Sequence, residues 1–117
     1  MTRWPVLPHH QEIRATLRLL NPGGGGADRI AETLEAKGVT GRVGNAASCP
    51  VAVFLGEQYP GLRFRVADTG FVVWARGKAG TPIGPKQRYE RAYAGARLAM
   101  FVRRFDNGRY PLLERQP

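Results

Sequence analysis

LRFRVADTGFVVWARG, residues 62–77, reads as an antiparallel β-hairpin, and that reading decides the fold class. Leu62, Phe64 and Val66 alternate with Arg63 and Arg65, the period of a strand with one buried face. Asp68-Thr69-Gly70 supplies the turn, with Gly70 suited to a positive φ, and Phe71 to Arg76 forms the return strand. Two registers fit. A two-residue Thr69-Gly70 loop sets Asp68 opposite Phe71, sends Phe71, Val73 and Ala75 to the core and leaves Trp74 on the open face beside Arg63 and Arg65. A three-residue loop over 68–70 shifts the pairing by one and turns Trp74 inward. A lone hairpin is marginally stable, so helices must cover it or a further strand extend it; residues 39–43 are the expected source of that strand.

Helical patterns precede the hairpin. Ile13, Leu17 and Leu20 recur at helical spacing after Pro8, so a short helix is expected from His9 to Leu20. Asn21-Pro22 and the four glycines 23–26 end it and read as a flexible connector. The glycines do not make a phosphate cradle, because Ala27-Asp28 stands where a P-loop needs Lys-Ser/Thr. A second helix is expected over Ala27 to Lys37, with Ile30, Ala31 and Leu34 apolar and Gly38 placed as its C-terminal stop. A loop over 39–48 follows. A third helix is expected over Cys49 to Gln58, with Ser48 as N-cap, Pro50 in the first turn, and Val51, Phe54, Leu55 and Tyr59 inward.

After the Gly/Pro-rich connector 77–85, a long helix is expected from Lys86 to Phe105. Leu98, Phe101, Val102 and Phe105 mark its core stripe, and Asn107-Gly108 its stop. Tyr89, Tyr93, Ala96 and Met100 form a second apolar line on that helix, to be met either by Ile13, Leu17 and Leu20 or by a second copy of the chain. Tyr110, Leu112 and Leu113 are expected to dock on the core. The whole is an α+β single domain: a helical N-terminal half, a central hairpin and a long C-terminal helix packed on it. Residues 1–26 form the N-terminal helix and connector, 27–113 the core and 114–117 a frayed tail.

Composition narrows the function classes. The chain has 117 residues, enough for one ordinary domain. Its single cysteine, Cys49, closes no intrachain disulfide. No apolar run is long enough to span a membrane, and a cytoplasmic setting is expected. The net charge is +9, with 15 arginines and 3 lysines. Residues 76–104 hold eight cations against Glu90 alone, which concentrates the excess in one stretch.

No catalytic, cofactor or metal signature stands out. Cys49 at a helix start is where a thiol pKa can fall, but a nucleophile also needs a base, and His9-His10 lie forty residues earlier. The two histidines alone do not make a metal site. The ten-residue gap at 39–48 is too long for helix-turn-helix, and helix–strand–strand–helix over 49–106 lacks the third strand and the lysine cluster of a double-stranded-RNA-binding domain. The expected site is therefore a non-enzymatic binding surface. Arg63, Arg65, Trp74, Arg76, Lys78, Lys86 and Arg88 are its candidates, with a nucleic acid or an acidic protein partner as ligand. Tyr89, Tyr93 and Met100 are the candidates for a homodimer interface.

Two stretches carry a resemblance. Ser48-Cys49-Pro50-Val51-Ala52-Val53-Phe54-Leu55 resembles a Cys-Pro-apolar-Ala-x-aromatic-Leu motif, and residues 101–113, FVRRFDNGRYPLL, resemble a closing Phe-Val-x-x-Phe-Asp-x-Gly-x-Tyr-Pro-x-Leu motif. Both are similar to motifs of small uncharacterised proteins of actinobacteria and their phages. The resemblance implies no activity and assigns no residue a role.

Overall fold

The computed structural model describes residues 7–115. Three of the expected helices stand close to their expected places: α1 (His10–Arg18), α2 (Ala27–Ala36) and α3 (Pro50–Gln58). Cys49, not Ser48, is the residue that caps α3, with extended backbone at φ −67° and ψ 158°. The hairpin is β1 (Leu62–Val66) and β2 (Phe71–Arg76). The expected long helix is two elements. Residues Glu90–Tyr93 form a third strand, β3, and only Ala96–Asp106 is helical, as α4.

The reason for that break lies at Gly95. Its φ of +109° is closed to a helix and open to glycine. Upstream of it the residues alternate: Ala92 is buried and Glu90 half-buried, while Tyr89, Arg91 and Tyr93 are exposed. That is strand periodicity, and tyrosine packs well on a pleated surface. The sheet runs β1-β2-β3, antiparallel throughout. The hairpin is thus extended from the C-terminal side and not by 39–43, where Gly41 makes only an isolated bridge to Glu114.

The register is the one with the three-residue loop. Val66 pairs Val72 and Phe64 pairs Trp74, and Ala67 N–H donates to the Phe71 carbonyl across Asp68-Thr69-Gly70. The alternative, with Trp74 on the open face, is overturned. Gly70 explains the choice. It sits at φ +94°, and a Cβ there would stand 2.8 Å from the Gly95 carbonyl oxygen. The turn is pressed against the β3–α4 junction, where Ala94 N–H donates to the Gly70 carbonyl at 2.7 Å.

Among the described residues, the four α-helices lie on one side of the sheet. α3 packs on β1, α1 on β3, and α2 on both α3 and α4. The chief partner of α4, which has 11 residues and is shorter than expected, is α2. The expected pairing of α1 with the C-terminal helix becomes a pairing of α1 with β3. Trp74, Phe101, Phe105, Ile13, Leu20, Leu34 and Leu55 are fully enclosed between the layers.

Polar ties close the ends of the fold. Tyr59 and Thr16 hydroxyls meet at 2.7 Å, joining α3 to α1. The Asp28 carboxylate accepts from Tyr110 at 2.8 Å and from Arg104 at 3.2 Å, joining α2, α4 and the tail. The glycine run, expected as a flexible connector, is folded: Pro22–Gly24 makes a 3-10 turn, Asn21 accepts from Gly26 N–H, and Arg97 donates to the Gly24 carbonyl. In the tail Leu113 is buried but Leu112 is exposed, against expectation. Of the tail expected to fray from 114, Arg115 is tied down, since Gly41 exchanges backbone hydrogen bonds with Leu113 and Arg115; residues 116 and 117 lie outside the described residues.

Candidate nucleic-acid interface on the open sheet face

With the helices on one side, the alternation of the strands defines a second, open side. β1 contributes Arg63 and Arg65, β2 contributes Phe71, Val73 and Ala75, and β3 with its preceding residue contributes Tyr89, Arg91 and Tyr93. The pairing lays them in rows. Phe71 lies opposite Tyr93, with ring centroids 5.3 Å apart. Arg65, Val73 and Arg91 form the next row, and the Arg91 guanidinium stands 5.5 Å from the centre of the Phe71 ring. Phe71, Tyr89 and Tyr93 are 38%, 49% and 45% exposed, high for large rings in a sheet. None of these outward strand residues is acidic; Glu90 points to the other side, where it faces His10 at 3.6 Å.

The loop 77–89 borders this face. Arg63 holds it: Nε donates to the Arg76 carbonyl at 2.9 Å, and the guanidinium reaches Thr81 Oγ1 at 3.2 Å and the Pro82 carbonyl. Gln87 Nε2 donates to the Arg76 carbonyl as well. Ala75, paired with Arg63, is fully buried although it lies on the open side. Between loop and strands runs a groove of about 300 Å³, lined by Arg65, Val73, Tyr89 and Arg91 on the sheet side and by Ile83–Pro85 on the loop side.

The expected binding residues are therefore not one patch. Arg65 is exposed on the open face. Arg63 is on it but engaged with the loop. Trp74, expected to be the exposed aromatic, is fully buried on the opposite side, its Nε1–H donating to the Pro8 carbonyl at 3.1 Å and its ring edge-on to His10. Arg76 and Arg88 line a different groove, with Leu7, Gln87 and Glu90. Lys78 and Lys86 are exposed on the loop. Of the three dimer candidates, Tyr89 and Tyr93 share the open face, while Met100 lies on the exposed side of α4. The helical apolar line that was to unite them does not exist.

Sequence reasoning missed Phe71, Arg91 and the role of Tyr89 and Tyr93 as strand residues. The signal was present in two places: the glycine at 95 inside a supposed helix, and the i, i+2, i+4 recurrence of Tyr89, Arg91 and Tyr93.

Cys49 is enclosed at 1% exposure, and burial pushes its thiol up to about 11 despite backbone hydrogen bonds from Ala52 and Val51. It is a core residue with the opposite of an activated nucleophile's environment. Among the described residues no group of three or more His, Cys, Asp or Glu could hold a metal ion, and no helix is long and apolar enough to cross a membrane. Comparison with protein-family models, with curated proteins and with solved structures finds no match.

Proposed function

We propose that this chain is a small non-enzymatic binding module whose ligand is a nucleic acid, held on the open face of the sheet. The observation that carries the reading is the row pattern: exposed Phe71 and Tyr93 side by side, next to a row in which Arg65 and Arg91 flank Val73, with no carboxylate among the outward strand residues. Aromatic faces take bases by stacking, and neighbouring guanidinium groups take phosphates. The net charge of +9 favours approach of any polyanion. Lys78 and Lys86 are exposed cations of the loop that borders this face.

Binding of a fluorescein-labelled oligonucleotide, followed by anisotropy from 25 to 250 mM salt, tests the proposal. Affinity should fall linearly with log salt, by roughly 0.7 to 0.9 log units per phosphate contacted. The double variant Arg65→Ala, Arg91→Ala should flatten that slope by about 1.5 while melting at the temperature of the parent chain. Absence of binding at 25 mM salt refutes the function.

A second reading has one observation behind it: Tyr89, Tyr93 and Met100 are all more than two-fifths exposed, as residues of an interface with a protein partner or a second copy would be. It ranks lower for a homodimer, because pairing two open faces brings Arg65 and Arg91 of each copy against the same charges of the other. Light scattering over a hundredfold concentration range decides it; a strict monomer removes the homodimer.

A further inference from the structure

We infer that the open face takes single-stranded rather than duplex nucleic acid, and that the Phe71–Tyr93 ring pair is where an unpaired base stacks. The inference rests on the nucleic-acid reading above and narrows it to one class of ligand.

The geometry of the rings is the first argument. Phe71 and Tyr93 are cross-strand partners whose planes are inclined by 57° at a centroid separation of 5.3 Å. They stand side by side on the open face, 38% and 45% exposed. A duplex keeps its base faces inside the stack, and its base edges lie at the bottom of grooves that admit a helix or a two-stranded ribbon. A three-stranded face cannot enter such a groove, so duplex would leave both rings without a base. An unpaired base has its π-face free.

The arrangement of charge is the second. Arg65 and Arg91 sit on the two outer strands across Val73, so their backbones are roughly 10 Å apart at ordinary strand spacing. Arg91 is also 5.5 Å from the Phe71 ring centre. The Arg91 guanidinium lies over Phe71, so a base that stacks on the pair meets it there for its own phosphate, and Arg65 lies across the sheet for the next part of the backbone. The third argument is the loop. Ile83–Pro85 stands over one end of the face and makes the groove of about 300 Å³ beside Tyr89. A thin, flexible strand passes along such a groove; a rigid duplex rides on the rim and stays off the sheet.

The test uses the full chain with a dT 12-mer and a blunt 12-base-pair duplex at 50 mM salt. The single strand should bind at least 10-fold tighter. Phe71→Ala and Tyr93→Ala should each weaken it about 10-fold, the scale of losing one base–ring stack, without changing the salt slope. Tyr93→Phe, which keeps the ring, should bind as the parent does, and all variants should melt near the parent. Equal or tighter duplex binding overturns the inference, as does parental affinity in both alanine variants; in either case the nucleic-acid reading survives. No binding of either oligonucleotide overturns both. A dimer that Tyr93→Ala dissociates assigns the face to a second copy and also overturns it.

Discussion

Truncating Trp74 to alanine distinguishes the observed register from its rival more sharply than any other substitution. The indole is fully enclosed, is set edge-on to His10 with centroids 5.8 Å apart, and donates its Nε1–H to the Pro8 carbonyl at 3.1 Å. Removing a large aromatic side chain from a packed core costs about 3–5 kcal/mol, and the carbonyl left without its donor adds to the loss. Had the hairpin adopted the other register, Trp74 would face solvent, and its loss would cost about 0.5 kcal/mol or less. The difference is a large share of the roughly 5–15 kcal/mol that holds a domain together. Urea unfolding followed by far-ultraviolet circular dichroism reads it directly. With a slope of about 1.5 kcal/mol per molar, the midpoint should drop by about 2–3 M. In a Trp4→Phe background, emission from Trp74 should be blue-shifted and resist iodide. A midpoint shift under about 0.3 M, with emission quenched as freely as indole in water, would refute the packing described for the sheet.

Two further outcomes follow from local geometry and burial. Gly70→Ala should destabilise by about 1–3 kcal/mol in the same urea assay, because the position combines φ +94° with a Cβ only 2.8 Å from the Gly95 carbonyl oxygen; parental stability would contradict the tight turn. The buried thiol of Cys49 stays protonated in the folded chain up to about pH 11, whereas the unfolded chain loses that proton near pH 9. Its contribution is therefore complete below pH 9 and is lost as pH rises toward 11, by about 2–3 kcal/mol; Cys49→Ala should flatten that part of the stability profile, and rapid alkylation of the native thiol at pH 8 would show the enclosure to be wrong.

The helices of the N-terminal half were legible because their signals are local. Ile13 and Leu34, Pro50 at a first turn and Gly38 at a stop each act within a turn or two of chain, and the structure places α1, α2 and α3 within about two residues of the expected bounds. The hairpin was legible for the same reason, down to its turn residues. Its register was not, since both loop lengths satisfy Asp68-Thr69-Gly70, and what selects between them is the Gly95 carbonyl, 25 residues away in sequence and pressed on the turn. The third strand failed for a related reason. Arginine, alanine and tyrosine at 88–94 are all tolerated in helices, and the pull of the unpaired edge of β2 is a tertiary force with no mark in a local window. The site inherited both errors. With the register left open, the candidate site was built on the alternative that turns Phe71 to the core and Trp74 outward; with β3 read as helix, Arg91 had no row to belong to. Arg65, fixed by its alternation with Phe64 and Val66, was placed correctly whichever loop formed.

The one-sided layering of helices has an evolutionary corollary. Phe71, Tyr89, Arg91 and Tyr93 hang on a backbone whose opposite side carries the burden of folding, through Phe64, Val66, Val72, Trp74 and Ala92. Selection can exchange the outer set almost residue by residue with little penalty in folding, since alternating positions of one strand answer to different constraints. Descendants of such a chain are free to diverge on the open face long before they diverge in architecture.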